Sequence, residues 1–435
     1  MTLQASPSPD STSVEQPNLQ DIAAPLNAKF WILLVLVGLS AGITGGLLMR
    51  LLHFVESASF PFAGGFLEAV RQTSGERRVI VLFLAGLLAG AAGLVSARFK
   101  GETSLNGAVW KRSGRMPIAK SFLKAVYSIV VVAMGAAVGR ENSLKQAGAV
   151  LANVASTWRN LPDEQRHLLV ACGAGAGMAA AYNVPLGGAL FTLEILLGSF
   201  SLRAALPAFS ASMLATWASW LLLPDQPTYA FTASKTSFSL IAWAFLAGPL
   251  CGLVTVPYIR LLAWAKSYKP EGWWRLASPI LSLSLLGLVA VKVPEMLGNG
   301  KDVVQLTLSN ASTTLLLVIL FVIRPLATAI ILRSGVPGGV FTPTLCFGGV
   351  AGLLLGREWV ALLPHSAALG QLPSFALIGG GAVLAAATKG PVSSLIFVLE
   401  LTRTADATMV PLLVAVVTAT TVCNVFEERS IYSIE

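Results

Sequence analysis

Apolar residues fill this chain in long stretches separated by short polar breaks. The stretches are Phe30–Leu52, Val79–Val95, Phe122–Val138, Leu168–Leu197, Ala204–Leu223, Leu240–Val256, Ile280–Val291, Thr313–Leu332, Val340–Leu355, Phe375–Ala387 and Met409–Val425. A helix needs about 20 apolar residues to cross a bilayer. Several stretches are shorter, or are cut by Gly and Pro. The one after Leu168 breaks at Asn183-Val184-Pro185, and another breaks at Pro391. Broken backbone is tolerated at membrane depth only where protein or water covers its free polar groups. The pattern therefore predicts an all-α, multi-pass membrane protein with tilted, broken and re-entrant helices.

Two of the stretches are near copies, 206 residues apart. Gly173–Ile195 reads GAGAGMAAAYNVPLGGALFTLEI, and Gly379–Leu401 reads GGGAVLAAATKGPVSSLIFVLEL. A duplication inside an apolar chain predicts a transporter of two halves with its substrate site between them. We place the first half at about residues 29–223 and the second at about 239–435. Residues 1–28, rich in Ser, Pro, Gln and Asp, read as a flexible tail. They lack the basic start and small-residue cleavage site of a signal peptide. No soluble stretch follows Thr421–Glu435, so no C-terminal regulatory domain is expected.

Composition agrees with a lipid solvent. The chain of 435 residues is 55% hydrophobic and 12% charged, with a mean hydropathy of +0.73; soluble domains carry about 25% charged residues. The net charge of +9 does not indicate nucleic acid. The basic residues gather in two loops instead, one holding Arg98, Lys100, Lys111, Arg112, Arg115, Lys120 and Lys124, the other Arg260, Lys266, Lys269 and Arg275. The positive-inside rule turns both toward the cytoplasm, and the same topology puts both termini there. Cys172, Cys251, Cys346 and Cys423 are far apart in apolar runs, and the three histidines are equally scattered, so neither disulfides nor a metal site is expected. Without a phosphate-binding loop, nucleophile elbow or clustered acid–base pair, no enzyme activity and no cofactor are expected.

Three places carry candidate chemistry. Gly139-Arg140-Glu141-Asn142-Ser143 joins two apolar runs, and full charges at membrane depth are functional candidates by default. A helix start offers free N–H groups and the positive end of the dipole, which together bind anions. Glu141 can occupy such a site as a tethered anion and leave it on protonation. A buried Arg140–Glu141 ion pair that only orders the fold is the alternative. Gly338-Gly339-Val340-Phe341-Thr342-Pro343 is a second glycine-led helix start. Tyr432 follows the last apolar run, as an interfacial anchor or as a hydroxyl donor to an anion. Glu194 and Glu400 end the two copies of Phe-x-Leu-Glu, and their symmetry suggests a shared structural task such as capping helix N–H groups. Small-residue runs such as Ala171–Ala181 suit close helix packing.

In this order, these motifs resemble the CLC family of chloride channels and proton-coupled chloride transporters. Gly139-Arg140-Glu141 is similar to its Gly-Arg-Glu-Gly-Pro motif. Gly338–Pro343 is similar to its Gly-x-Phe-x-Pro motif, and Ala180–Leu186 to its Ala-Ala-Phe-Asn-Ala-Pro-Leu segment. Tyr432 stands where the family has its pore tyrosine. Leu193–Ser199 is most like the bacterial ClcB branch. The resemblance covers about residues 30–435. It implies a CLC-type inverted repeat, a homodimer with one pathway per subunit, and chloride as the ion, with protons as a possible second one. It implies Glu141 as the gate, with Gly139, Arg140, Asn142, Val340, Phe341 and Tyr432 around the anion. It also implies a bacterial inner membrane.

Three departures bear on mechanism. The family's Gly-Ser-Gly-Ile-Pro motif is missing, and Thr103 or Ser104 is the candidate replacement for its anion-binding hydroxyl. Lys145 stands four residues after Glu141, which on a helix makes them neighbours. It is a candidate pathway modulator, acting on Glu141 or drawing anions to the outer mouth, unless it only snorkels to the interface. Ile195 occupies the position of the internal glutamate of proton-coupled members. That leaves a channel-like protein, or one whose inner proton path uses water or Glu194; a strict antiporter is the alternative. A cation-coupled transporter of organic solutes is a distant one.

Overall fold

The structure, a computed structural model, describes residues 26–99, 101, 105–111, 113–231, 236–363, 371–403 and 408–433. Thr103 and Ser104 lie outside the described residues. Among those described there is no strand, only an isolated antiparallel bridge between Gly139 and Gly339.

The first part of the chain forms α1 (Ala28–Ser59), α2 (Phe66–Gln72), α3 (Gly75–Ala97), α4 (Leu105–Trp110), α5 (Ile118–Ala133), α6 (Glu141–Trp158), α7 (Asp163–Tyr182), α8 (Pro185–Phe191) and α9 (Leu202–Ser219). A π-helical stretch, Thr192–Leu197, continues from α8. The second part forms α10 (Phe238–Lys266), α11 (Trp274–Lys292), α12 (Lys301–Leu308), α13 (Thr314–Arg333), α14 (Phe341–Leu362), α15 (Leu372–Thr388), α16 (Pro391–Thr402) and α17 (Met409–Phe426). Seven of these (α1, α3, α10, α11, α13, α14 and α17) are long and apolar enough to cross a membrane. Others, such as α8 and α16, stop well short of that length, as the broken stretches predict.

Packing repeats with the sequence. The pairs α6–α7, α1–α9, α7–α9 and α5–α6 in the first part correspond to α14–α15, α10–α17, α15–α17 and α13–α14 in the second. Equivalent elements also pack across the halves, α3 with α11 and α8 with α16. The breaks are equivalent too. Asn183 and Lys389 both adopt the left-handed conformation (φ 58°) between a long helix and a proline-led short one.

Glycines let the helices touch at backbone distance, which is how membrane helices gain packing energy without a hydrophobic effect between them. A Cβ on Gly148 of α6 would lie 2.0 Å from the Gly173 carbonyl oxygen of α7. On Gly352 of α14 it would lie 2.3 Å from that of Phe375 in α15.

Candidate anion pathway

The starts of α6 and α14 meet at the centre of the molecule. Gly139 N–H donates to the Gly339 carbonyl at 2.6 Å, and Gly339 N–H returns the bond to Gly139 at 2.7 Å. Each helix begins two residues further on, at Glu141 and Phe341. Both helices therefore leave this two-bond clasp with their N-terminal N–H groups near one point, where their dipoles favour negative charge.

The carboxylate of Glu141 sits at that point and is fully buried. Its Oε1 accepts from Phe341 N–H at 2.7 Å. Its Oε2 accepts from Tyr182 Oη at 3.2 Å and Thr342 Oγ1 at 3.3 Å, and these two hydroxyls bond each other at 2.7 Å. The clasp glycines make the space: a Cβ on Gly339 would lie 1.8 Å from Glu141 Oε1, and one on Gly139 would lie 2.1 Å from Oε2. A carboxylate held by N–H and hydroxyl donors, without a paired cation, occupies an anion site as a tethered anion. Among the described residues no Arg140–Glu141 ion pair forms.

Cavities lie on the two sides of this carboxylate, and it lines neither. The larger, about 600 Å³, is lined by Asn142, Lys145, Gly339, Val340 and Tyr432 at its inner end. Lys120, Lys124, Lys266, Lys269 and Arg275 also line it, so the two basic loops seen in the sequence converge on one vestibule. The smaller, about 230 Å³, is lined by His53, Glu56, Arg140, Asn299, Lys301 and Asp302.

The candidate residues thus divide. Glu141 and Phe341 form the buried site itself. Asn142, Val340 and Tyr432 face the basic vestibule. Arg140 faces the opposite cavity, with its guanidinium 5.1 Å over the Tyr182 ring. Gly139 contributes backbone and space. Tyr432 is 6% exposed and lines the larger cavity, which does not fit an interfacial anchor. Lys145 does not snorkel to the surface. It is 4% exposed, and its Nζ lies 4.6 Å from the Tyr432 ring centroid and 5.0 Å from that of Phe191, on the basic side. The cause is direction: the Glu141 side chain leaves the helix start toward Phe341, while Lys145, one turn later, points into the vestibule.

Two residues at the carboxylate were missed. Thr342 stands inside the second glycine-led motif, and Tyr182 inside the Ala180–Leu186 segment and the repeat, where Thr388 is its counterpart. That unequal pair inside a near copy was the available signal.

Glu194 and Glu400 have the capping task that their symmetry suggested, but across the halves. Glu400 accepts from Leu186 N–H (3.1 Å) and Gly187 N–H (2.6 Å) at the start of α8. Glu194 accepts from Val392 N–H (3.1 Å) and Ser393 N–H (2.6 Å) at the start of α16. With both oxygens engaged, Glu194 is poorly placed to carry protons. Ile195 beside it is buried against Gly390.

Comparison with known proteins agrees with this geometry. A family model described as voltage gated chloride channel matches residues 81–424. A voltage-gated ClC-type chloride channel ClcB from Citrobacter koseri is 32% identical over 380 residues, 85% of this chain and 89% of that protein. A putative chloride channel protein ClcB-like from Ralstonia nicotianae is 32% identical over 384 residues, 85% of this chain and 87% of that one. Among solved structures, a slow cyanobacterial Cl−/H+ antiporter superposes with a TM-score of 0.82 at 21% identity, covering 94% of this chain and 97% of the other. A CLC-type fluoride/proton antiporter reaches 0.72 at 20% identity, covering 93% and 96%.

Proposed function

This chain belongs to the voltage-gated chloride channel family, the CLC proteins, in its ClcB branch, and from that premise we propose that it carries chloride across a bacterial inner membrane through a pathway gated by Glu141. The observation that carries the reading is the buried Glu141 carboxylate, held by Phe341 N–H between two cavities. In this state the tethered anion fills the site that a mobile anion would use. Protonation, or competition by chloride, releases it and opens the connection. Val340, Asn142 and Tyr432 line the approach from the basic side. That side is cytoplasmic by the positive-inside rule. Lys266 Nζ donates to Ile431 O there, which puts the C-terminal end on the same side. The N-terminus follows, because α1 ends near His53 and Glu56 at the opposite cavity. A homodimer with one pathway per subunit completes the reading, with no enzymatic step and no nucleic-acid partner.

Channel-like or weakly coupled transport fits Ile195 and the engaged Glu194. Strict proton–chloride exchange is the second reading, favoured by the two solved antiporters that share the fold. Reconstitution in liposomes separates them. Under a chloride gradient at two pH values, a channel reverses at the chloride Nernst potential, whereas an exchanger is displaced by the proton gradient. Glu141→Gln is expected to give anion flux independent of pH. Flux in this variant that kept the full pH dependence would remove Glu141 as the gate.

A further inference from the structure

Lys145 has no counterpart among the groups that the family resemblance assigns to the anion, and its surroundings are unusual for a buried lysine. An ammonium carries three N–H donors, and burying one without partners is costly. The contacts of Lys145 Nζ are the faces of Phe191 and Tyr432. The nearest carboxylate on its own helix, Glu141, is already held by Phe341, Tyr182 and Thr342. Among the described residues, the buried Tyr432 Oη has no hydrogen-bond partner. The Tyr432 ring is fixed edge-on against Phe191, 5.5 Å between centroids. Its backbone is held by Asn106 Nδ2, which donates to the Tyr432 carbonyl at 2.8 Å, and by Ser430 Oγ, which accepts from Tyr432 N–H at 3.0 Å. Lys145 and Tyr432 both line the 600 Å³ vestibule, and no Asp or Glu lines it among the described residues. One ammonium over the Tyr432 ring and one hydroxyl without a partner among the described residues, both lining one basic cavity, form a site for a small monovalent anion.

We propose that Lys145 is a specificity-determining ligand of the anion on the basic side of the gate, binding it together with the Tyr432 hydroxyl. This rests on the anion-transport reading above. A pathway built from dipoles and hydroxyls holds an anion weakly enough for it to leave. Here a full positive charge one helical turn from the gate deepens the well. The anion binds more tightly on the basic side and departs more slowly, so Lys145 trades turnover for affinity.

The test compares wild type, Lys145→Met and Lys145→Arg, by chloride efflux from liposomes at varied chloride and by calorimetric titration of chloride into the detergent-solubilised protein. Removing one charge from a semi-buried site is expected to raise the half-saturating chloride concentration and the dissociation constant by about tenfold or more, while maximal flux increases. Lys145→Arg should restore the affinity. Saturable flux at high chloride shows that Lys145→Met is folded. The inference is overturned if Lys145→Met binds chloride within twofold of wild type, or if Lys145→Arg behaves like Lys145→Met. If the wild type moves no chloride but binds it in a Lys145-dependent manner, the transport reading fails and the site stands.

Discussion

Replacing Gly339 by alanine inserts a methyl group where the Glu141 carboxylate now lies. The new Cβ would sit 1.8 Å from Oε1 and 2.2 Å from the carboxylate carbon. Ordinary contact is near 3.4 Å, so the carboxylate must retreat by about 1.6 Å. Its 2.7 Å bond from Phe341 N–H does not survive that shift. A hydrogen bond to a charged group contributes about 1.5–3 kcal/mol. Losing it moves the balance between the occupied and vacated site by about 10- to 100-fold. The backbone clasp is unaffected, because it uses only main-chain N–H and C=O groups. Chloride efflux from liposomes, measured across pH, is expected to rise toward the level of Glu141→Ala, with a flattened pH profile. The double variant Gly339→Ala/Glu141→Ala should then behave as Glu141→Ala alone, since the added methyl group has nothing left to displace. Wild-type flux and pH dependence in Gly339→Ala would refute the reasoning, as would an effect of equal size in the Glu141→Ala background.

Other perturbations report on the scaffold. Glu194→Gln and Glu400→Gln each leave one N–H of a proline-led helix start without an acceptor, at a cost of about 1–3 kcal/mol. The equivalent geometry predicts that the two variants lose the same few degrees of melting temperature, measured in detergent; a drop in only one of them would break the proposed equivalence. At the C-terminal end, Arg429 and then Arg260 hold the Glu427 carboxyl well below the usual range, at about 2. A depressed folded-state value stabilises above the unfolded value near 4.5 and is lost as pH falls toward 2. The melting difference between wild type and Glu427→Gln should therefore be full at pH 6 and shrink below about pH 4.5; a difference that did not change with pH would exclude the linkage.

Much of the architecture was open to reading along the chain. Apolar length and its interruptions report directly on the solvent, because a backbone in lipid must satisfy its own polar groups. The near copies around Pro185 and Pro391 show the two halves, since each copy must fold the same way locally. The candidate site was legible wherever the costly residue types stood: a lone Glu141 at membrane depth and glycine-led helix starts on either side.

What the chain order withheld was direction across the halves. Glu194 and Glu400 read correctly as caps, yet each caps the helix of the other copy, which only the packing of α8 on α16 brings about. Lys145 is a neighbour of Glu141 by spacing, but adjacency along a helix does not say that Lys145 lines the vestibule while the Glu141 carboxylate lines neither cavity. Tyr182 and Thr342 looked like motif filler until tertiary contact brought both hydroxyls to one carboxylate. Burial costs and hydrogen-bond demands act on each residue where it stands in the sequence, and so the membrane fold, its duplication and the candidate acid Glu141 were determined there. Which donors surround that acid, and which buried ammonium faces the vestibule, depended on two helix starts some 200 residues apart meeting at one bridge, a long-range contact that no local pattern encodes.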